Sequence, residues 1–103
     1  MFNLHTHTRF SDGSNEPRAY YDEAVRQGFS TLGFSDHSPV PFENTFAIKE
    51  EQLQEYGTAI AALQKLPGGA QERLPEIFLS LEIDFIPGVT RSFAEYRKLL
   101  PLD

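Results

Sequence analysis

The order of apolar and amphipathic segments predicts an α/β fold with parallel strands. Three observations carry that reading. Short strand-like runs recur near residues 1–7, 29–34 and 77–83, and helix-like segments follow each of them. Crossovers of that length join parallel strands, nearly always with right-handed connections. All three histidines, His5, His7 and His37, fall close to the ends of those runs, as do Asp36 and Glu82. The carboxyl ends of parallel strands are where ligands collect in both open doubly wound sheets and closed barrels. Composition does not choose between those two architectures.

Met1 to Leu4 and the alternation through His7 form the first expected strand. Alternate side chains of an extended segment point the same way, so His5 and His7 can address one ion together. Phe10 to Asn15 is a polar turn around Asp12-Gly13, a common turn dipeptide. Pro17 suits a first helical turn with Asn15 or Glu16 as cap, and Arg18 to Gln27 reads as a helix with Tyr20, Tyr21, Ala24 and Val25 on its apolar side. Gly28 is the natural stop.

Phe29 to Phe34 is the second expected strand, with Ser35-Asp36-His37 following it and Pro39 and Pro41 forcing a loop. A longer helix is expected over Lys49 to Leu66, because Leu53, Tyr56, Ile60 and Leu63 recur at three-and-four spacing. It should end before Pro67-Gly68-Gly69. Ile77 to Ile83 is the third strand, and its near-continuous apolar character fits cover on both faces. Pro87 and Gly88 mark a turn. Ser92 with Glu95 three residues on is a capping-box pattern for a helix through Leu100.

A chain of 103 residues accommodates one modest domain. It has no cysteine, so any metal must be held by nitrogen and oxygen. The net charge of -6, from 15 acids against 9 bases, comes without a basic stripe. That disfavours nucleic acid and anionic membrane surfaces as partners. No segment has the apolar length of a membrane span, and histidines interrupt the N-terminal apolar run, so a cytoplasmic location is expected. Glycine-rich phosphate loops and a hydrolase nucleophile elbow are missing.

The candidate chemistry is therefore metal chemistry. Neutral imidazole and carboxylate together suit Zn, Mn or Fe. Glu82 stands in the apolar run Leu79 to Ile86, where a desolvated carboxylate requires a charge partner or a metal. Asp84 lies on the same side of an ideal strand and is read as supporting. Arg9, in the first loop, has two equal readings, contact with a phosphate or surface solvation.

At His5-Thr6-His7-Thr8, Ser11-Asp12-Gly13, Ser35-Asp36-His37 and Leu81-Glu82-Ile83-Asp84-Phe85, the chain resembles the polymerase-and-histidinol-phosphatase (PHP) superfamily, within it the N-terminal part of the histidinol-phosphatases. The resemblance implies the first β-α units of a distorted TIM-like barrel of about seven strands, carrying two or three divalent ions at its carboxyl face. It assigns His5 and His7 to one ion, Glu82 as a bridge to a second, and Asp12 and His37 to the remaining ion. Asp36 takes a supporting role behind the ligands. It further implies hydrolysis of a small-molecule phosphate monoester, with histidinol phosphate favoured and a hydroxide activated by the metals as nucleophile, in histidine biosynthesis. Residues 1–103 would be the N-terminal portion of a single PHP domain, roughly two-fifths of the enzyme. The superfamily's later histidines and Asp-x-His motif lie beyond His37 and are not in this chain. The alternatives are another phosphoesterase of the superfamily, or an inactive fragment or partner-binding scaffold.

Overall fold

Strand β1 (Phe2–Thr6), strand β2 (Thr31–His37) and strand β3 (Glu76–Glu82) form one parallel sheet in the order β1-β2-β3. The computed structural model describes residues 2–40, 42–66, 74–83, 91 and 93–103. Met1, Pro41, the Pro67-Gly68-Gly69 stop, Asp84, the Pro87-Gly88 turn and the Ser92 cap lie outside the described residues.

Helix α1 (Pro17–Gln27) begins with proline at its first position, after Glu16, whose side chain makes no capping hydrogen bond. It ends at Gly28, which takes φ 75° and donates its N–H back to the carbonyls of Ala24 and Val25. The second helix starts later than the spacing predicts. Glu50–Gln52 forms a single 3₁₀ turn, and the α-helix, α2, runs Leu53–Gln64. The expected face of Leu53, Tyr56, Ile60 and Leu63 is buried in full. Helix α3 covers only Phe93–Arg97. Beyond it the chain turns, and Leu100 and Leu102 enter the core instead of extending the helix.

Strand β2 begins two residues later than expected and continues three further, taking Asp36 and His37 into the strand. The helix-closing turn draws the Phe29 N–H to Ala24 O at 2.9 Å, which delays the strand. The ladder with β3, unbroken from Thr31↔Glu76 to His37↔Glu82, prolongs it.

One sheet face is apolar. Leu32 and Phe34 of β2 and Ile77, Leu79 and Leu81 of β3 share a core with Tyr21, Ala24, Tyr56, Ile60 and Leu63 from the helices. The opposite face of β3 is only half-buried at Phe78, Ser80 and Glu82. Cover on both faces therefore holds for the central strand β2 but not for β3, whose burial alternates.

Strand β1 departs from regular alternation. It pairs Asn3↔Leu32 and then Thr6↔Phe34, so Leu4 and His5 together oppose Gly33. This bulge has two causes. The Asn3 side chain accepts the His5 N–H at 2.8 Å, competing with the ladder. Gly33 also lets the Leu4 backbone close in, because a Cβ there would lie 2.9 Å from Leu4 Cα.

Candidate metal centre

Register places the site residues. Thr6 pairs with Phe34 and is buried on the apolar side, which sends its neighbours His5 and His7 to the other face. His37 and Glu82 are register partners on that same face. Asp12 arrives from the first loop, whose turn is closed by the N–H groups of Ser11 and Gly13 on the carbonyl of Thr8.

Glu82 has imidazoles at both of its oxygens. Its Oε1 lies 3.1 Å from His5 Nε2 and 3.8 Å from His7 Nε2, and its Oε2 lies 2.7 Å from His37 Nδ1. Asp12 forms a second bridge, 2.7 Å from His7 Nδ1 and 3.2 Å from His37 Nε2. The ring centroids of His5 and His7, and of His7 and His37, are each 4.6 Å apart. All five residues singled out as ligands thus converge, in two overlapping groups: His5, His7 and Glu82, and His7, Asp12 and His37. His7 belongs to both, whereas the resemblance places it with His5.

Burial raises the Asp12 carboxyl. The hydrogen bond from His7, with the nearby His7 and His37 rings, more than reverses this and leaves its pKa below the ordinary value. Asp12 is thus held as the anion a cation site needs.

Asp36 faces away from His37, as consecutive strand residues must. It is fully buried, and its carboxylate accepts the Thr8 N–H at 2.6 Å, the Thr8 hydroxyl at 3.0 Å and the Ser11 hydroxyl at 2.6 Å. Burial raises its pKa, and these hydrogen bonds offset only part of that rise. The Asp36 N–H donates to the Tyr56 hydroxyl at 3.3 Å, and that hydroxyl donates to the Ser80 carbonyl at 2.7 Å. Tyr56 therefore ties α2 to β2 and β3 one step below the His37–Glu82 pair. Burial raises the phenol far above its ordinary pKa, so it stays protonated.

The helical repeat marks Tyr56 only as a core residue. Thr8 and Ser11 stand directly beside His7 and Asp12 in the motifs, but that adjacency gives them no role. Arg9 does not join the cluster. Its guanidinium pairs with Glu16 and with Glu55 of α2 at 3.5 Å, and it lies over the Phe10 ring.

The side chains present fit a metal. His7 Nε2 is buried without a hydrogen-bond partner among the described residues, although Asp12 fixes the ring's other nitrogen. A buried donor atom left in this way calls for an acceptor or a cation. The all-nitrogen-and-oxygen donor set suits Zn, Mn or Fe alike.

Two curated relatives match most of this chain. The probable histidinol-phosphatase of Deinococcus radiodurans is 39% identical over 94 residues, covering 88% of this chain and 34% of that protein. The histidinol-phosphatase of Bacillus subtilis is 33% identical over 91 residues, covering 80% of this chain and 32% of that protein. The chain thus spans about a third of the length of the curated relatives it matches. The PHP domain model matches residues 3–102, from the bulged first strand through Leu102, and the chain belongs to the PHP domain family.

Proposed function

We propose that the full-length protein carrying this chain is a metal-dependent phosphomonoester hydrolase acting on histidinol phosphate in histidine biosynthesis. The substrate rests on the likeness to the two histidinol-phosphatases. The observation that carries the metal dependence is the position of Glu82, with each carboxylate oxygen turned to a different imidazole group. Such a carboxylate is suited to hold two cations together. Bound there, divalent cations supply a clamp on the phosphoryl oxygens and lower the pKa of an attacking water.

The chain's own residues do the rest of what this part of the domain contributes. His5, His7 and Glu82 would hold one cation, and His37 with Asp12 would hold a neighbouring one, His7 lying between the two groups. Asp12 orients the His7 ring through Nδ1. Asp36 keeps the loop carrying Asp12 against the sheet through Thr8 and Ser11. The Ser11 hydroxyl is committed to Asp36, which argues against a seryl nucleophile and favours direct attack by water. A phosphate contact by Arg9 would require it to exchange Glu16 or Glu55 for the ester. The rest of the polypeptide, in this reading, completes the barrel and the ligand set, so activity belongs to the full-length protein and not to residues 1–103 alone.

Purified full-length protein assayed on histidinol phosphate and on a single-stranded oligonucleotide, with and without chelator, tests the reading. Metal-dependent phosphate release from histidinol phosphate is expected. Nucleotide release with none from histidinol phosphate would overturn the substrate. Full turnover by residues 1–103 alone would overturn the need for the remainder.

A further inference from the structure

The loop after β2 carries an aromatic pair that the metal centre does not use. Phe42 is 52% exposed, an unusual position for so large an apolar side chain. Its ring lies 6.5 Å from that of Phe46, and Phe46 stands edge-on to the His37 ring at 5.6 Å. His37, Phe46 and Phe42 therefore form a continuous series leading outward from the metal donors.

The loop that holds this series is internally fixed. Asn44 Oδ1 accepts the N–H groups of Phe46 at 3.0 Å and Ala47 at 2.8 Å, and its amide donates to the Phe42 carbonyl at 2.9 Å. The Ile48 N–H then donates to the His37 carbonyl at 3.0 Å, anchoring the loop to the residue beside the cluster. A cavity of about 420 Å³ opens beside Phe42, with Ile48 as a second apolar wall and a polar lining in which Glu43, Glu50 and Glu51 outnumber Lys49. Flat apolar surface bordered by carboxylates suits a planar ring that bears or shares a positive charge.

On the reading of the site as a phosphomonoesterase, we infer that Phe42 and Phe46 form a specificity wall that receives a planar, heteroaromatic ring in the organic part of the ester. The phosphate lies at the metal donors, Phe46 flanks the link between the two ends, and Phe42 with its acidic neighbours takes the ring. Recognition of the ring is then separate from recognition of the phosphate. Selectivity comes from an aromatic contact that a ring-free ester cannot make.

The test compares wild-type and Phe42→Ala full-length protein on histidinol phosphate and on ethanolamine phosphate, which keeps an amine and the phosphate ester but has no ring. The expected result is a fall of about tenfold in the ratio of the two kcat/KM values, through a higher KM for histidinol phosphate with little change in its kcat. Phe42→Leu should recover only part of the ratio, because it restores apolar bulk without a flat face. Metal content, measured on Phe42→Ala and Phe46→Ala, should match wild type. An unchanged ratio, or a Phe42→Ala loss traced to lost metal, overturns the wall while leaving the phosphatase reading in place. A wild-type protein that hydrolyses neither ester overturns both.

Discussion

A carboxylate that is one-third exposed at a strand end ordinarily needs no partner, yet Glu82 has three imidazoles within 3.8 Å. Glu82→Gln keeps the volume and removes the charge. It is expected to release at least one equivalent of metal and to lower phosphatase turnover by about a hundredfold or more, with a stability change of about 1 kcal/mol or less. Elemental analysis beside urea unfolding separates the two effects, and unchanged metal content with near-normal turnover would sink the bridging role. Asp36 should behave in the opposite way. Its removal in Asp36→Ala strands the Thr8 N–H and two hydroxyls beneath the site, for a loss of about 3 kcal/mol by urea denaturation. Tyr56→Phe leaves fewer groups unpaired and should cost about 1–2 kcal/mol. His5, His7, His37 and Glu82 were legible as candidate ligands because histidines and a carboxylate at strand ends carry a chemical signature, whereas Asp12, a turn residue of the first loop, entered through the family resemblance. Thr8, Ser11 and Tyr56 were not legible, because their roles depend on a hydroxyl meeting one backbone or carboxylate group 24 to 28 residues away.

Strand β1 shows where periodicity stops being informative. A regular strand would put Asn3, His5 and His7 on one face. The bulge opposite Gly33 instead gives Asn3 the parity of Thr6, leaves Leu4 54% exposed, and keeps both histidines with His37 and Glu82. Its one local cause is the Asn3 side chain taking the His5 N–H two residues on, and its other cause is a glycine on the neighbouring strand. Gly33→Ala should force Leu4 outward and destabilise the protein by about 1–3 kcal/mol. Asn3→Ala should be milder for stability, but it removes the acceptor that holds the His5 backbone. Metal titration should then show weaker affinity, by about threefold, while a control at exposed Leu99 shows none. Helix α2 is the contrasting case. Its buried face was readable because Leu53, Tyr56, Ile60 and Leu63 need only the helical repeat to be brought together. The ends of β2 were not, since the ladder to β3 decides them.

The α/β class and the parallel order were legible at the scale of the whole molecule, because alternating strand and helix segments of this length leave few other connections. Barrel closure was not, since three strands are common to open and closed sheets. The candidate donors come from all three strands and the first loop, so a cation bound among them would cross-link the sheet. Adding Zn or Mn at a hundred times its dissociation constant should stabilise the protein by about 2.7 kcal/mol, seen as a rise in Tm that a chelator reverses. The side of β3 away from β2 is bonded differently. Leu79 turns its N–H to the Asp103 carboxylate at 2.7 Å and its carbonyl to the Asp103 N–H at 2.8 Å, while Gln64 donates to the Ile77 carbonyl at 3.0 Å. Asp103 thus occupies the side of β3 away from β2 with its side chain and main chain together, on the side where the proposed barrel places its next strand. In hydrogen–deuterium exchange, the Leu79 amide should be protected like an interior ladder position. Asp103→Ala should speed its exchange by about tenfold while leaving the amides between β1 and β2 unchanged.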